Sequence, residues 1–253
     1  MKLTHNTILV TGGTSGIGRA LAEALHDRGN RVLITGRRHA LLDQISSRRP
    51  GLLGLALDLD ATDAAPRLAA WLQENAPSLN VVLANAGISR TEDMASDAWT
   101  AEAAAAVVQT NILGVMRVAE ATLPLLKRNG PATFMATSSA LAFVPRADFP
   151  AYCASKAFLH SWLQSLRHQM SAFSMEVLEL SPPYVQTELT GVGQASDPRA
   201  LPLADYVNLV LQMLEAGDTP NGEILLARDL ARRWAERDGT YASVYASLNP
   251  VRA

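Results

Sequence analysis

Cysteine and lysine are scarce in this 253-residue sequence, and neither sign of charge dominates. The single cysteine, Cys153, cannot form an internal disulfide, which excludes a disulfide-stapled scaffold and favours a reducing compartment. With 22 basic and 24 acidic residues, no basic excess indicates nucleic acid or an anionic membrane as a partner. No stretch reaches the roughly 18 apolar residues of a membrane span, and the N-terminal segment turns glycine-rich too early for a signal peptide. We therefore expect a cytoplasmic protein without nucleic-acid or membrane partners.

The composition is that of a packed chain, since 48% of the residues are hydrophobic and 18% are charged. Short apolar runs alternate with stretches of helical length. The predicted strands are residues 7–10, 31–35, 52–57, 81–84, 132–137, 175–180 and 223–227. Helices are predicted from the turn after the first strand to Arg28 and over residues 61–75, 96–127, 152–171 and 203–215. Strands that are apolar on both faces indicate an α/β, doubly wound (Rossmann-type), mostly parallel seven-stranded sheet with helices on both faces, in a single domain over residues 1–253.

A glycine-rich turn follows the first predicted strand and leads directly into a helical stretch. Its residues are Thr11, Gly12, Gly13, Thr14, Ser15, Gly16, Ile17 and Gly18. Gly12 permits a sharp turn, Gly16 lets the backbone approach a pyrophosphate, and Gly18 allows tight packing of the helix on the sheet. The N-terminus of the helix offers free N–H groups to the phosphates. A βα turn without a ligand is the alternative, but a position between the first strand and the first helix favours nucleotide binding.

The spacing of these glycines, G-x3-G-x-G, resembles that of the short-chain dehydrogenase/reductase family in its short, single-domain branch. Further matching motifs extend over most of the chain: Asp58-Leu59, Asn85-Ala86-Gly87, Asn111, Ser139, Tyr152, Lys156, and Pro182, Val185 and Thr187 in the segment PPYVQT. Ser139 lies thirteen residues before Tyr152, which is the spacing of the family. The chain departs from the family pattern at Ala84, where asparagine is usual, and at Pro183, where glycine is usual.

The resemblance implies that Asn111, Ser139, Tyr152 and Lys156 are catalytic. Lys156 would bind the nicotinamide ribose, and Asn111 would bind a water that links this lysine to solvent. Ser139 would donate a hydrogen bond to the substrate oxygen. Ser138 is the adjacent alternative to Ser139, and the spacing favours Ser139. The implied cofactor-binding residues are Gly12, Thr14, Ser15, Gly16, Ile17, Gly18, Asp58, Leu59, Asn85, Ala86, Gly87, Tyr152, Lys156, Pro182, Val185 and Thr187.

The pair Tyr152 and Lys156 carries the chemistry. Lys156 is one of only three lysines, and it lies one helical turn beyond Tyr152, so a compact ammonium is favoured there over the arginine common elsewhere. A tyrosine of pKa about 10 is a poor base at neutral pH, and lowering that pKa by roughly three units requires about 4 kcal/mol. A cation about 4 Å away, at an effective dielectric of roughly 20, supplies about that much. We therefore expect Lys156, helped by an oxidised nicotinamide, to lower the pKa of Tyr152.

The end of the second predicted strand indicates which dinucleotide is bound. It reads Thr35-Gly36-Arg37-Arg38, without the acid that NAD enzymes place about 20 residues after the glycine loop. The guanidinium of Arg37 or Arg38 can instead donate two hydrogen bonds to a 2′-phosphate. The sequence therefore favours NADP, with NAD as the alternative cofactor. The competing interpretation is that both arginines are solvated charges at the start of a helix.

Segments that the resemblance places around the substrate are mostly apolar, which favours a small, largely apolar organic molecule. They contain Leu141, Phe143, Val144, Phe149, Tyr184 and Leu189, with Arg90 and Arg146 as polar contacts.

The five histidines have no metal-ligand spacing, so no metal site is expected. Relatives pair two helices about a two-fold axis, and a homodimer or homotetramer is expected here through the same helices. Their apolar residues include Trp99, Val107, Val115, Phe158 and Leu166.

Three functions are compatible with these motifs. The leading prediction is an NADP-dependent oxidoreductase that interconverts a carbonyl and an alcohol by hydride transfer, with Tyr152 as general acid and base. The alternatives are an NAD-dependent alcohol dehydrogenase and a non-catalytic sensor that binds the dinucleotide without turnover. The complete catalytic set argues against the sensor, because a sensor has no use for a tyrosine of lowered pKa.

Overall fold

Seven parallel strands form the centre of the computed structural model, which describes residues 1–250. They are β1 (Thr7–Thr11), β2 (Arg31–Gly36), β3 (Leu53–Ala56), β4 (Val81–Ala84), β5 (Ala132–Thr137), β6 (Met175–Ser181) and β7 (Glu223–Leu225). Their order in the sheet is β3-β2-β1-β4-β5-β6-β7, and each neighbouring pair is parallel. The chain changes direction across the sheet between β1 and β4, and ligands of such sheets bind at the strand ends beside this point. The predicted doubly wound fold is confirmed.

Helices cover both faces of the sheet. They are α1 (Gly16–His26), α2 (His39–Arg48), α3 (Ala64–Asn75), α4 (Glu102–Val108), α5 (Gly114–Arg128), α6 (Pro150–Gln169), α7 (Leu203–Ala216), α8 (Leu230–Arg233) and α9 (Tyr241–Leu248). Ile8 and Val10 of β1 pack in one core with α1 and α7, whereas Leu9 packs in a second core with α3, α5 and α6. Successive side chains of a strand point to opposite faces, so a strand between two helical layers is apolar throughout.

The helix predicted over residues 96–127 is interrupted. Residues 96–101 form turns and irregular backbone, and a π-helical turn (Gln109–Leu113) separates α4 from α5. Asn111 lies in this turn and is fully buried. Wider turns of this kind occur often at functional sites. The residue types of the segment are compatible with a continuous helix, and this is why its sequence does not predict the interruption.

Other boundaries also differ from the prediction. The sequence pattern does not predict α2, α8 or α9, because they bury little: α2 buries only Leu42 and Ile45, and α8 and α9 bury no residue. Helix α6 begins at Pro150 rather than at residue 152, which places Tyr152 in its first turn. Among the described residues, no helix combines the length and the apolarity that crossing a bilayer requires.

Most of the apolar residues that the sequence predicts to contact a second copy of the chain lie inside the subunit. Val107, Val115 and Leu166 are buried within the subunit, so the prediction that they contact a second copy is wrong. They pack against neighbouring helices and the sheet because they lie on the inward faces of their own helices. The exposed apolar side chains of the same region are Trp99, Val108 and Leu113. Phe158 is partly buried against the core.

Candidate active site

The glycine loop after β1 packs directly on the segment after β4. Gly12 and Gly16 have φ angles of +67° and +53°, a conformation that favours glycine. A Cβ atom on Gly18 would lie 2.3 Å from Asn85 Nδ2, and one on Gly12 would lie 2.8 Å from Ala86 Cα. Neither contact leaves room for a side chain. The glycines therefore serve close packing as well as the turn.

Threonine hydroxyls join the ends of three neighbouring strands. Thr11 Oγ1 accepts hydrogen bonds from the backbone N–H groups of Asn85 (3.1 Å) and Ala86 (3.2 Å). Thr137 Oγ1 donates to Asn85 Oδ1 at 3.2 Å. The ends of β1, β4 and β5 are thereby held in a fixed relation, and the segment Asn85-Ala86-Gly87 forms part of one surface with the glycine loop. The departure from the family pattern at Ala84 falls on the buried strand, beneath this surface.

A cation and a helix N-terminus meet at this loop. Within residues 1–250, the Ser15 side chain makes no capping hydrogen bond to α1, which leaves the first-turn N–H groups of that helix free for an anion. Arg38 Nη2 lies across the loop and donates to Thr14 Oγ1 at 3.1 Å and to Ser15 Oγ at 2.9 Å. Arg37 is exposed. The donors fit the phosphates of a dinucleotide, and of the two arginines it is Arg38 that contacts the loop.

The segments after β3 and β6 complete the rim of this surface. At the end of β3, Asp58 is exposed and Leu59 is buried, with the Leu59 carbonyl accepting from Arg117 Nη1 at 2.7 Å. After β6, the methyl group of Thr187 lies 3.5 Å from where a Gly16 Cβ would stand. The predicted binding residues thus surround one surface at the ends of the strands.

The backbone after β6, where proline replaces the usual glycine at position 183, is held by contacts with neighbouring segments. The carbonyl of Pro182 accepts a hydrogen bond from Ala140 N at 3.0 Å, which ties the segment to the end of β5. Val185 is buried and pairs with Leu201 in a short bridge. These contacts fix the segment beside the loop that carries Ser139.

Helix α6 and the end of β5 bring Tyr152, Lys156 and Ser139 together. Tyr152 and Lys156 are buried, and Lys156 Nζ lies 5.6 Å from the centroid of the tyrosine ring. The ammonium donates to the Thr137 carbonyl at 2.7 Å, and this bond fixes the lysine against β5. Ser139 begins a 3₁₀ turn (Ala140–Ala142), where its Oγ accepts from Leu141 N at 3.1 Å.

Asn111 joins the π-helical turn to the segment after β4. Its Oδ1 accepts from Ile88 N at 2.8 Å, while its Nδ2 donates to the Ile88 carbonyl and to Ser155 Oγ, both at 3.0 Å. A Cβ atom on Gly87 would lie 3.2 Å from Asn111 Oδ1 and 3.6 Å from Lys156 Nζ. Asn111 and Lys156 therefore converge on the same glycine. The water-holding role of Asn111 remains a prediction.

Burial controls the protonation of the pair. It raises the pKa of Tyr152 to about 12, and the hydrogen bond with Ser139 acts in the opposite direction. It lowers the pKa of Lys156 to about 8, and attraction to the Glu179 carboxylate opposes this effect. In the protein without cofactor, loss of hydration therefore dominates the pKa of Tyr152. That Lys156 and an oxidised nicotinamide together lower this pKa stays a prediction. At neutral pH Tyr152 is a neutral phenol and Lys156 is an ammonium.

The two adjacent serines have different surroundings. Ser138 Oγ is buried and donates to Glu179 Oε1 at 2.5 Å, and it lies 2.8 Å from Ser181 Oγ. Ser139 instead lies close enough to Tyr152 to lower the pKa of its phenol. The structure thus separates the alternatives, because only Ser139 faces the phenol.

Comparison with known proteins identifies the family. The model of the short chain dehydrogenase family matches residues 6–197. The chain belongs to the short-chain dehydrogenase family. It is accordingly an NAD(P)-dependent oxidoreductase.

Individual relatives of this short-chain dehydrogenase cover nearly its whole length. An uncharacterized oxidoreductase, DltE, of Bacillus subtilis is 33% identical over 237 residues, which are 92% of this chain and 94% of the relative. A short chain dehydrogenase of Burkholderia cenocepacia, solved in complex with NADP, is 26% identical with a TM-score of 0.81, over 96% of this chain and 99% of that one. A relative from Burkholderia phymatum, solved with NAD, shares the fold at 18% identity, with a TM-score of 0.82 over 100% and 99% of the two chains.

The residues expected around the substrate of this short-chain dehydrogenase fall into two groups. Leu141 and Phe149 pack with Tyr152 in one small apolar cluster, as expected of residues beside the reacting groups. Arg146 is bound to Asp148 at 2.5 Å and lies over the Phe149 ring. These side chains form an apolar wall with one charged pair at its edge.

The remaining expected lining residues lie elsewhere or at the periphery. Phe143 is partly exposed and packs edge-on against His160, with ring centroids 5.0 Å apart, and its place in the substrate wall stays a prediction. Val144 is fully buried, whereas Leu189 and Arg90 are exposed. Tyr184 is also exposed, and its hydroxyl donates to Asp197 Oδ2 at 3.2 Å. The pattern of residue types in this region does not distinguish inward from outward side chains.

Sequence reasoning overlooks two residues next to the site, Glu179 and His160. His160 Nδ1 lies 2.7 Å from Glu179 Oε2. A signal exists in the sequence, because His160 follows Lys156 by four residues and so continues the helical face that carries Tyr152 and Lys156. A glutamate within an otherwise apolar strand is a second signal.

Proposed function

We propose that this enzyme reduces a carbonyl to an alcohol on a small, largely apolar organic molecule, with NADPH as the hydride donor and Tyr152 as the proton donor. The observation that carries the proposal is the buried phenol of Tyr152, with the Lys156 ammonium 5.6 Å from the centre of its ring and Ser139 beside it. Burial raises the pKa of the phenol to about 12, so Tyr152 keeps its proton at neutral pH. Such a group can give a proton to an oxygen that gains negative charge.

The cofactor residues favour a dinucleotide that carries an extra phosphate. Arg38 reaches the glycine loop through Thr14 and Ser15 and can turn its remaining N–H donors toward a 2′-phosphate. No acid stands at the end of β2, where an NAD enzyme accepts the ribose hydroxyls. The Burkholderia cenocepacia relative bound to NADP supports the same assignment.

Bound NADPH would supply a hydride to the carbonyl carbon. The Ser139 hydroxyl would donate a hydrogen bond to the carbonyl oxygen and so stabilise the charge that develops there. Tyr152 would transfer its proton to that oxygen. The Lys156 ammonium, held by the Thr137 carbonyl, would stabilise the phenolate that remains.

The protonation of Tyr152 fits the reductive direction at neutral pH. Reduction uses the phenol directly, and burial holds Tyr152 in this form by raising its pKa to about 12. Oxidation of an alcohol needs the phenolate, which Lys156 and an oxidised nicotinamide would have to stabilise. We therefore propose reduction as the faster reaction at neutral pH.

A turnover screen tests this function. Aldehydes and ketones are offered with NADPH and with NADH, and the matching alcohols with NADP⁺ and with NAD⁺, at neutral pH. We expect the fastest reaction with NADPH and an apolar ketone or aldehyde. Tight binding of a cofactor without turnover of any carbonyl or alcohol would instead support the sensor alternative, and a faster reaction with NAD⁺ and an alcohol would support the second enzyme.

We also propose a cytoplasmic homodimer or homotetramer. The exposed apolar side chains near α4 and α5, Trp99, Val108 and Leu113, support contact with a second copy. The single Cys153 is buried and free, which is compatible with a reducing compartment.

A further inference from the structure

A buried polar cluster lies behind the catalytic residues at the end of β6. Its centre is Glu179, whose side chain has no exposed surface. The carboxylate accepts hydrogen bonds from His160 Nδ1 at 2.7 Å, from Ser138 Oγ at 2.5 Å and from Ser181 Oγ at 3.2 Å. Both of its oxygens are therefore occupied, which satisfies a charge that burial alone would penalise.

The cluster is joined to the catalytic residues along two elements. Directly after β5, Ser138 lies between Thr137, whose carbonyl holds Lys156, and Ser139. On α6, His160 lies one turn beyond Lys156. Glu179 thus anchors through its hydrogen bonds both the strand end that presents Ser139 and the helix that presents Lys156.

The charge of Glu179 also balances that of Lys156. Both side chains are buried, and an ammonium without an opposite charge in such surroundings tends to lose its proton. Attraction to Glu179 raises the pKa of Lys156, against the larger effect of burial. The bonds from His160, Ser138 and Ser181 in turn hold the pKa of Glu179 below its usual value although it is buried.

We propose that Glu179 is a positioning residue of this active site, which keeps Lys156 in its ammonium form and fixes the turn at Ser139 through Ser138, while His160 holds the carboxylate in place. This inference rests on the proposed function, because its effect on turnover requires Lys156 and Ser139 to act in catalysis. The charge balance itself does not require turnover and can be measured without it.

Charged and titratable groups lie around Glu179 on three elements. They are Lys156 and His160 on α6, Glu223 on β7, which pairs with Glu179 in the sheet, and Arg233 on α8, which binds both oxygens of Glu223 at 2.8 Å. Donor atoms of His160, Glu179 and Glu223 lie within 4.8 Å of one another, which is close enough for a metal ion. Arg233 already neutralises Glu223, and hydrogen bonds occupy Glu179, so the arrangement favours a hydrogen-bonded network over a metal site. Assays with and without a chelator separate the two.

The test compares Glu179→Gln with the control Glu176→Gln, which removes an exposed carboxylate from the same strand. In the full-length enzyme, kcat is measured against pH with saturating NADPH and a carbonyl substrate. In the wild type we expect kcat to fall above about pH 8, as Lys156 loses its proton. In Glu179→Gln we expect this limb to move about one unit lower, with kcat reduced about threefold at pH 7.5 and about tenfold at pH 9, and KM nearly unchanged. The control should match the wild type.

A second readout uses unfolding of the cofactor-free protein. The pKa of Lys156 is lower in the folded state, about 8, than in the unfolded chain, so the unfolded chain binds more protons above that pH. Stability from this group therefore rises as the pH rises through about 8 toward the unfolded value. In Glu179→Gln this rise should begin about one pH unit lower, whereas Glu176→Gln should follow the wild type.

His160→Leu provides a variant of a partly exposed residue, should Glu179→Gln fail to fold. It removes the hydrogen bond from His160, which lowers the pKa of Glu179, so the carboxylate should protonate at a higher pH than in the wild type. On acidification, kcat should therefore begin to fall at a higher pH in His160→Leu than in the wild type. The proposal would be overturned if the variants lose kcat equally at every pH while the pH dependence of kcat and of the free energy of unfolding stays that of the wild type. Glu179 would then have a purely structural role. If the wild type turns over no carbonyl, the proposed function fails, and the unfolding profiles still decide the charge balance.

Discussion

Replacing Arg38 should change which dinucleotide the enzyme prefers. The guanidinium lies 3.1 Å from Thr14 Oγ1 and 2.9 Å from Ser15 Oγ, at the loop that would hold the adenosine end of the cofactor. A charge-assisted hydrogen bond to a phosphate contributes about 1.5–3 kcal/mol, which is roughly ten- to a hundredfold in affinity. Arg38→Ala should weaken the binding of NADPH by that factor.

The same substitution removes two hydrogen bonds to the loop, and this second effect applies to both cofactors. Because Arg38 is exposed to solvent, each of these contacts with a hydroxyl is worth about 0.5–1 kcal/mol, or roughly two- to fivefold in affinity. The ratio of NADPH affinity to NADH affinity cancels this loop effect and isolates the contribution of the phosphate contact. Arg38→Ala should lower that ratio at least about tenfold.

Fluorescence titration with NADPH and NADH measures the ratio in the wild type, Arg38→Ala, Arg38→Lys and Arg37→Ala. Arg38→Lys keeps the positive charge but loses the paired N–H donors of the guanidinium. We therefore expect an affinity ratio between those of the wild type and Arg38→Ala. Arg37→Ala should stay near the wild type, because the hydrogen bonds to the loop at Thr14 and Ser15 come from Arg38. Equal loss of both cofactors in Arg38→Ala, or loss of the preference in Arg37→Ala alone, would refute the reasoning.

Three further predictions concern stability, cofactor binding and assembly. Asn111→Ala removes bonds to both backbone groups of Ile88 and should lower the free energy of unfolding by about 2–4 kcal/mol in denaturant titrations; an unchanged midpoint would contradict this. Gly18→Ala places a methyl group 2.3 Å from Asn85 Nδ2 and should cost about 1–3 kcal/mol, seen as weaker NADPH binding or lower stability; wild-type values of both would exclude the clash. Light scattering at micromolar concentration should show a dimer or tetramer that Val108→Glu weakens, and a 27.1 kDa wild-type monomer would exclude the assembly.

The strands and the glycine loop could be predicted because one physical requirement sets each of them. Residues of β1 such as Ile8 and Leu9 must be apolar on both faces of a covered sheet, and Gly12 and Gly16 adopt backbone conformations that favour glycine. Helix α9 could not be predicted in this way, because it buries no residue and so has no apolar stripe. The π-helical turn at Asn111 likewise depends on tertiary bonds rather than on local preference.

The catalytic residues could be predicted from spacing, but their electrostatics could not. Spacing places Lys156 one turn beyond Tyr152, yet it does not reveal that both side chains are buried or that the ammonium is bonded to Thr137. Burial then determines the pKa of Tyr152, which is about 12. The partner that opposes burial at Lys156 is Glu179, which lies on a strand 23 residues further along the chain.

Single-turnover reduction by Tyr152→Phe tests the proton-donor role of Tyr152 most directly. The carbonyl that the wild type reduces fastest is mixed with enzyme preloaded with NADPH, and binding of NADPH is titrated in parallel. The ring volume is kept and only the hydroxyl is lost, so NADPH affinity should stay within about threefold while the rate falls by about 10²–10⁴ or more. A rate near that of the wild type would show that another group delivers the proton.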